Sequence, residues 1–555
     1  MDITALRPAP HLVERYRAAG VWRAEGPISD LWRWRDETPE AVAVTARHDR
    51  GTETLTYRQL AGRVEAFGEA LVELGVEPGQ VVVVQLPNLW QVGALMLACA
   101  RVGAVVAPLM MTLGPREVER VLARLEAGVV VTVGEWAGVR YAEGVAEMAP
   151  RLPKLRHRVV LDPAGGPAPE GAVDFAAHFE RPGRTELLAD APAEDPDRVS
   201  VVLFTSGTSG EPKGVLHTAN TLYAGSAALI EAEGFGPADR WFVTQAVTHI
   251  FGMQCCVFNP VLSGGSSVLL DRFEPAAALD LIAEAGVTML AGAPPFVAAV
   301  LAESERVGTE LPSLRMVLTG ATTVPGPLIA GVLRVWGQPL RTSWAMTEVP
   351  GHTWTRHDDP PLWGSQSDGR PGAALELEFR TEDGAAPTAE QPGRLFVRGG
   401  GLCLATFGRD TGALRVLAEH DGGWYDTGDL AAPDGRGGMR LFGRAADRIG
   451  GSFMIPVADV ETELLAHPGV HDVALVGYRP REDEELACAV VVPTAAAPTL
   501  AELRAFLTAR GMTDWYQPSR LELVTALPRN AMGKVRKDLL RTQLAADAIE
   551  NRATG

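Results

Sequence analysis

Two runs, Val81-Val82-Val83-Val84-Gln85-Leu86 and Gly128-Val129-Val130-Val131-Thr132-Val133, are apolar at odd and even positions alike. A strand with no polar face must be covered on both sides, the condition of an inner strand in a sheet flanked by helices. Segments with helical spacing, as over residues 58–74, lie between such runs. This alternation predicts βαβ units, largely parallel sheets and an α/β fold. At 555 residues the chain is about three to four times a typical single-core domain, so more than one domain is expected. Short strands with turn punctuation dominate 374–441 and predict a small β-rich subdomain. After Arg444 a helix over 456–465, strands over 471–476 and 488–492, and a helix over 500–507 predict a compact α+β unit. Residues 162–196, rich in Pro, Gly, Ala and acids, read as a surface excursion.

Composition narrows the class. Hydrophobic residues make up 46% and charged residues 22%, which suits packed cores. The formal charge of -18 opposes broad contact with nucleic acid or anionic membranes. Cys99, Cys255, Cys256, Cys403 and Cys488 are scattered without a C-x-x-C pair, so reduced core thiols are expected and a zinc or redox site is not. The most apolar stretch, 92–113, is interrupted by Arg101 and Pro108, which argues against a membrane span. No apolar core with a small-residue cleavage site follows Met1, so a cytoplasmic protein is expected.

The most informative segment follows the apolar run at 199–204: Thr205-Ser206-Gly207-Thr208-Ser209-Gly210-Glu211-Pro212-Lys213-Gly214. Glycines let backbone N–H groups approach oxygen anions, hydroxyls add donors and the lysine adds mobile positive charge, which together suit a polyphosphate. The segment after it, 218–229, has helical character, so the loop reads as a strand-to-helix connection. It is not a Walker loop, because Lys213 lies between Pro212 and Gly214 rather than between Gly and Ser or Thr.

That decapeptide resembles the signature loop of the adenylate-forming superfamily of acyl-CoA synthetases, peptide adenylation domains and luciferases. Five further motifs follow in the expected order. Thr248-His249-Ile250-Phe251-Gly252 is similar to the acyl-pocket motif, Gly320-Ala321 to the adenine-contact strand end, and Trp344-Ala345-Met346-Thr347-Glu348 to the segment usually written Y-G-x-T-E. Trp424-Tyr425-Asp426-Thr427-Gly428-Asp429, with Gly443-Arg444 beyond it, resembles the ribose motif and the start of the hinge. Leu527-Pro528-Arg529-Asn530-Ala531-Met532-Gly533-Lys534 resembles the loop of the catalytic lysine.

The resemblance implies a large adenylation domain over 1–444, with two α/β layers plus the β subdomain, and a mobile lid over 445–555. It implies ATP and Mg²⁺ as required partners, with Glu348 as metal ligand beside Thr347. Thr205, Ser206, Gly207, Thr208, Ser209, Gly210 and Lys213 would hold phosphate, and Gly320, Ala321 and Trp344 the base. Asp429 would reach the ribose and Arg444 the ribose or phosphate oxygens, and His249, Phe251 and Ala345 would wall the acid pocket. Lys534 would bridge the acid and the α-phosphate; taken alone it is a solvated lysine near Arg536 and Lys537.

Two departures bear on the acceptor. Ala446 stands at the hinge position, where a charged residue is usual, and Gly450 where Lys or Arg is common. Ala345 replaces a glycine and narrows the pocket by a methyl, which points to a compact acid. The leading expectation is an acid:CoA ligase. The alternative keeps adenylation but transfers to a non-CoA acceptor, as an amide ligase or a nitrite-activating diazotase acting on an aryl amine. A nucleotide-binding module without turnover is disfavoured by the joint presence of Lys213, Glu348, Asp429 and Lys534.

Overall fold

A computed structural model describes residues 3, 5–181, 185–188, 191–205, 213–321, 324–407, 413–444, 449, 455, 457–481, 484–510, 512, 514–530 and 533–553. Among these residues the chain forms two nine-stranded sheets, a four-stranded sheet and a three-stranded sheet.

The valine runs account for the stacking of the two large sheets. Strand Val81–Gln85 pairs in parallel with Val105–Pro108 on one side and Val129–Val133 on the other. Val82, Val84 and Val131 face the largest core, whereas Val81, Val83 and Val130 face a second core under helix Pro115–Arg124. Both faces are thus dry, as the unbroken apolar pattern requires. Helices Tyr57–Glu73 and Trp90–Val102 contribute Phe67, Leu71, Val92 and Leu95 to the same large core as Trp241, Val243, Met289 and Leu318 of the other nine-stranded sheet. Helix Tyr57–Glu73 starts where expected because Thr56 accepts the Gln59 N–H while the Gln59 side chain accepts the Thr56 N–H, a capping box.

The four-stranded antiparallel sheet contains Glu376–Arg380, Gly393–Arg398, Tyr425–Pro433 and Met439–Arg444, which bears out the β-rich segment. One part of that segment goes elsewhere: Ala405–Phe407 and Leu414–Val416 extend a nine-stranded sheet by pairing onto Lys213–Thr218. Toward the C-terminus, Val470–Arg481, Glu484–Pro493 and Arg520–Leu523 form the three-stranded sheet. Helix Val457–Leu465 supplies Val460 and Leu464 to one of its cores, and helix Lys537–Ala553 supplies Leu540 and Leu544 to another. This unit is the expected small α+β domain, with a terminal helix that the sequence reading omitted. All five cysteines are buried and without a disulfide. Among the described residues no helix is long and apolar enough to cross a membrane.

The phosphate-type loop sits differently from its sequence reading. Strand Val199–Thr205 is followed by an antiparallel strand, Lys213–Thr218, and only then by helix Ala219–Glu233. Val215 and Leu216 are wholly buried and must pair within the sheet, and the helix waits for Thr218, whose hydroxyl accepts the Thr221 N–H. The loop is therefore a strand-to-strand connection, with Lys213 at the first position of the returning strand.

Candidate active site

Thr347 and Glu348 are the two tip residues of a hairpin, since Met346 pairs with Val349 across strands Leu340–Met346 and Val349–Trp354. The tip carries Glu348 to Lys213, whose Nζ lies 2.7 Å from Glu348 Oε1 and 3.0 Å from the Tyr425 hydroxyl. Tyr425 donates to the same Glu348 oxygen at 3.1 Å. Glu348 is buried, which by itself would raise its pKa. The Lys213 charge, its hydrogen bond and the Tyr425 hydroxyl outweigh that effect and leave the pKa below the ordinary carboxylate value. The Glu348 carboxylate is therefore ionised at neutral pH despite its burial.

Tyr425 was not among the expected site residues, although the motif contained the signal. Tyr425, Thr427 and Asp429 alternate along strand Tyr425–Pro433 and are all buried, so they share one face. Removing the hydroxyl in Tyr425→Phe should reduce kcat/KM for Mg-ATP by about fivefold, the equivalent of one hydrogen bond. An unchanged kcat/KM would show that the hydroxyl does not support Glu348.

His217 was likewise missed; a polar residue inside Gly-Val-Leu-His-Thr was its only trace. Its Nε2–H donates to the Thr347 carbonyl at 2.8 Å, so its Nδ1 is the acceptor and takes the Thr221 hydroxyl at 3.1 Å. The returning strand thereby holds the hairpin tip from below. Burial pushes the pKa of His217 down to about 4, and that of His352, whose Nδ1 bonds the Pro350 carbonyl at 2.9 Å, also to about 4. Between about pH 6.5 and 4 the unfolded chain binds protons at these histidines that the folded chain does not. Their stabilising contribution is complete above about pH 6.5 and is lost as pH falls toward 4. The urea midpoint should therefore drop over that interval, and His217→Gln should make the drop shallower; equal slopes would contradict the assignment.

A cleft of about 790 Å³ runs between the two units and is lined by Ala321, Trp344, Ala345, Asp429 and, from the C-terminal side, Lys534. Gly320 ends strand Met316–Gly320, and a Cβ on it would lie 2.2 Å from the Ser343 carbonyl oxygen. Ala321 takes φ +73°, a left-handed conformation costly for a residue with a Cβ and found mostly where surroundings enforce it. Trp344 Nε1–H donates to Asp429 Oδ2 at 2.8 Å, both groups being buried. The Asp429 backbone pairs across the ladder with that of Arg444.

Lys534 is held by its own loop. Asn530 N–H donates to the Lys534 carbonyl at 2.8 Å, the Lys534 N–H returns to Asn530 Oδ1 at 3.0 Å, and Gly533 turns the chain with φ +76°. His249 caps the short helix Ile250–Met253, its Nδ1 accepting the Phe251 N–H at 3.3 Å. Burial and then the Lys534 charge lower the His249 pKa to about 4. His249 and Thr347 line one small cavity, while Phe251 packs against the main core.

The structure thus gathers Lys213 with Glu348, and Trp344, Ala321, Ala345, Asp429 and Lys534 around one cleft. Ser206, Gly207, Thr208, Ser209, Gly210, Ala446 and Gly450 lie outside the described residues, as do the side chains of Thr205 and Arg444. For Mg²⁺ the donor chemistry is compatible: Glu348 is a buried carboxylate held in its ionised form, a hard oxygen donor. A single ionised carboxylate such as Glu348 matches an ion that takes its other ligands from phosphate and water.

Residues 31–405 match the AMP-binding enzyme family, and residues 459–534 match the AMP-binding enzyme C-terminal domain. The chain belongs to the AMP-binding enzyme family. Among curated relatives, it is 30% identical over 535 residues to the medium-chain fatty-acid–CoA ligase of Escherichia coli (strain K12), an alignment covering 95% of this chain and 92% of that one. It is also 30% identical over 553 residues to a salicylyl-CoA synthase / salicylate adenylyltransferase of a Streptomyces species, covering 97% of each. The anthranilate CoA ligase AuaEII, solved in complex with anthranoyl-AMP, superposes with a TM-score of 0.83 over 95% of this chain and 98% of that one. At 23% identity this last likeness is one of fold. The α/β architecture with a large and a small domain is that of the AMP-binding enzymes.

Proposed function

We propose that this AMP-forming ligase activates a small carboxylic acid with ATP and passes the acyl group to CoA, with the cleft between the two domains as its active site. A carboxylate oxygen of the acid bonds to the α-phosphorus, the bond to the β-phosphate oxygen breaks, and pyrophosphate leaves. The CoA sulfur then bonds to the acyl carbon, AMP departs with the mixed-anhydride oxygen, and the thiol proton passes to solvent. The observation that carries this reading is the convergence of Trp344, Asp429 and Lys534, from three separate stretches of chain, on one cleft.

In the first step the trigonal-bipyramidal phosphorus gathers negative charge, so catalysis rests on placed cations rather than on a proton-transfer pair. Lys534 holds the acid carboxylate against the α-phosphate. Lys213 and the loop from Thr205 to Gly210 hold the outer phosphates. Trp344, Gly320 and Ala321 bound the base, and Asp429 with Arg444 takes the ribose. Glu348 would hold Mg²⁺, which supplies charge neutralisation on the phosphates. Ala345 walls the acid on the cleft side, and His249 and Phe251, which do not themselves line the cleft, shape that wall. The domain boundary falls at Arg444, the residues from 445 onward forming the lid, and the enzyme works in the cytoplasm without a nucleic-acid partner.

The test is pyrophosphate release from Mg-ATP over a panel of aryl and alkyl acids and nitrite, with and without CoA and with and without an aryl amine. Acid-dependent release with thioester formed only in the presence of CoA is the expected result. Release that ignores CoA and requires an amine or nitrite would overturn the acceptor while leaving adenylation in place.

A further inference from the structure

The bond from Trp344 to Asp429 joins two sheets. Trp344 comes from strand Leu340–Met346 of a nine-stranded sheet, Asp429 from strand Tyr425–Pro433 of the four-stranded one, and both line the cleft. Their side chains meet at 2.8 Å, with Trp344 5% and Asp429 6% exposed. A hydrogen bond onto a carboxylate removed from water is stronger than one between neutral groups, and water competes for it little. Tryptophan has a single donor, and here that donor is committed to Asp429 Oδ2. The indole plane and the carboxylate are therefore mutually fixed. The ring also belongs to the core cluster containing Val215, Val349, Leu395 and Tyr425, so the indole does not turn without disturbing that packing.

We propose that Trp344 is a positioning residue for the nucleotide ribose, acting through Asp429 and independently of any stacking on the base. The proposal rests on the ATP-dependent reading above and deepens it. The indole N–H sets the direction in which Asp429 presents its charge to the ribose hydroxyls, so base recognition and sugar recognition share one rigid unit. Phenylalanine at 344 retains an aromatic face but has no donor, which separates the two roles.

The experiment is calorimetric titration of the full-length protein with Mg-ATP and with Mg-2′,3′-dideoxyATP, for the wild type, Trp344→Phe, Asp429→Ala and the double variant. Trp344→Phe should weaken ATP about tenfold and dideoxyATP less than twofold, and it should cost less than twofold when Asp429 is already alanine. Equal losses for the two nucleotides, a full further loss in the Asp429→Ala background, or no loss at all would overturn the proposal. The comparison of nucleotides is made within one preparation, so a partly unfolded variant cannot imitate it. A second measurement avoids substituting Trp344: in protein labelled with ¹⁵N at the indole nitrogens, Asp429→Ala should shift a protected indole N–H resonance and open it to exchange. Absence of any such shift would also overturn the proposal. Wild-type protein that binds the two nucleotides equally would remove the ribose assignment itself and the proposal with it, whereas a discriminating wild type with a uniformly weakened Trp344→Phe removes the role of Trp344 alone.

Discussion

Lys534→Ala is expected to slow acid-dependent pyrophosphate release by a factor of about 100 to 1000, the scale of removing one preorganised charge from a transition state. Binding of Mg-ATP should remain within about threefold, because the loss concerns an interaction made chiefly at the transition state. The geometry requires this separation. The lysine reaches the cleft from the C-terminal unit, and its backbone is tied on both sides to Asn530. Truncating the side chain leaves that loop, the Trp344 ring and Asp429 in place. Single-turnover rates and equilibrium binding measured on the same preparation separate the two effects. Turnover equal to the wild type would remove Lys534 from the catalytic assignment, and loss of ATP binding alone would make it a ground-state contact.

Glu348→Ala should have the second large effect, on activity and on stability together. It takes away the carboxylate proposed to carry Mg²⁺ and leaves the Lys213 ammonium, 22% exposed, beside Tyr425 without its counter-ion. Breaking a buried pair from one side typically costs about 3 kcal/mol, toward the lower end here because Lys213 retains some water. The rate of adenylation should fall by about 100-fold or more. The double variant Lys213→Met, Glu348→Gln distinguishes the two consequences, since it should recover much of the thermal stability and none of the activity. Recovery of both would mean the pair is structural only.

The layering was legible because Val81 to Val84 and Val129 to Val131 lack a polar side, and a strand without one has few places to go. The hairpin character of the phosphate-type loop was not. Gly214-Val215-Leu216-His217 is too short for its period to separate strand from helix, and the decision came from pairing with Val199–Thr205 in a sheet assembled from distant segments. Ala405–Phe407 eluded the reading for the same reason, since its partner strand lies nearly two hundred residues earlier. At the site, Glu348, Asp429 and Lys534 were legible through the family motifs that contain them, whereas Tyr425 and His217 act through groups that only folding brings to them. The Trp344 to Asp429 bond spans 85 residues and two sheets, a contact that local sequence does not encode.

Adenylation itself is tested most directly by isotope transfer. With an acid accepted by the enzyme and labelled with ¹⁸O in both carboxylate oxygens, AMP isolated after turnover with Mg-ATP and CoA should carry one ¹⁸O on its phosphate, delivered when the acyl–oxygen bond of the adenylate is broken. AMP without label, or ADP and inorganic phosphate as the products, would contradict attack of the acid on the α-phosphorus and with it the assignment of this cleft.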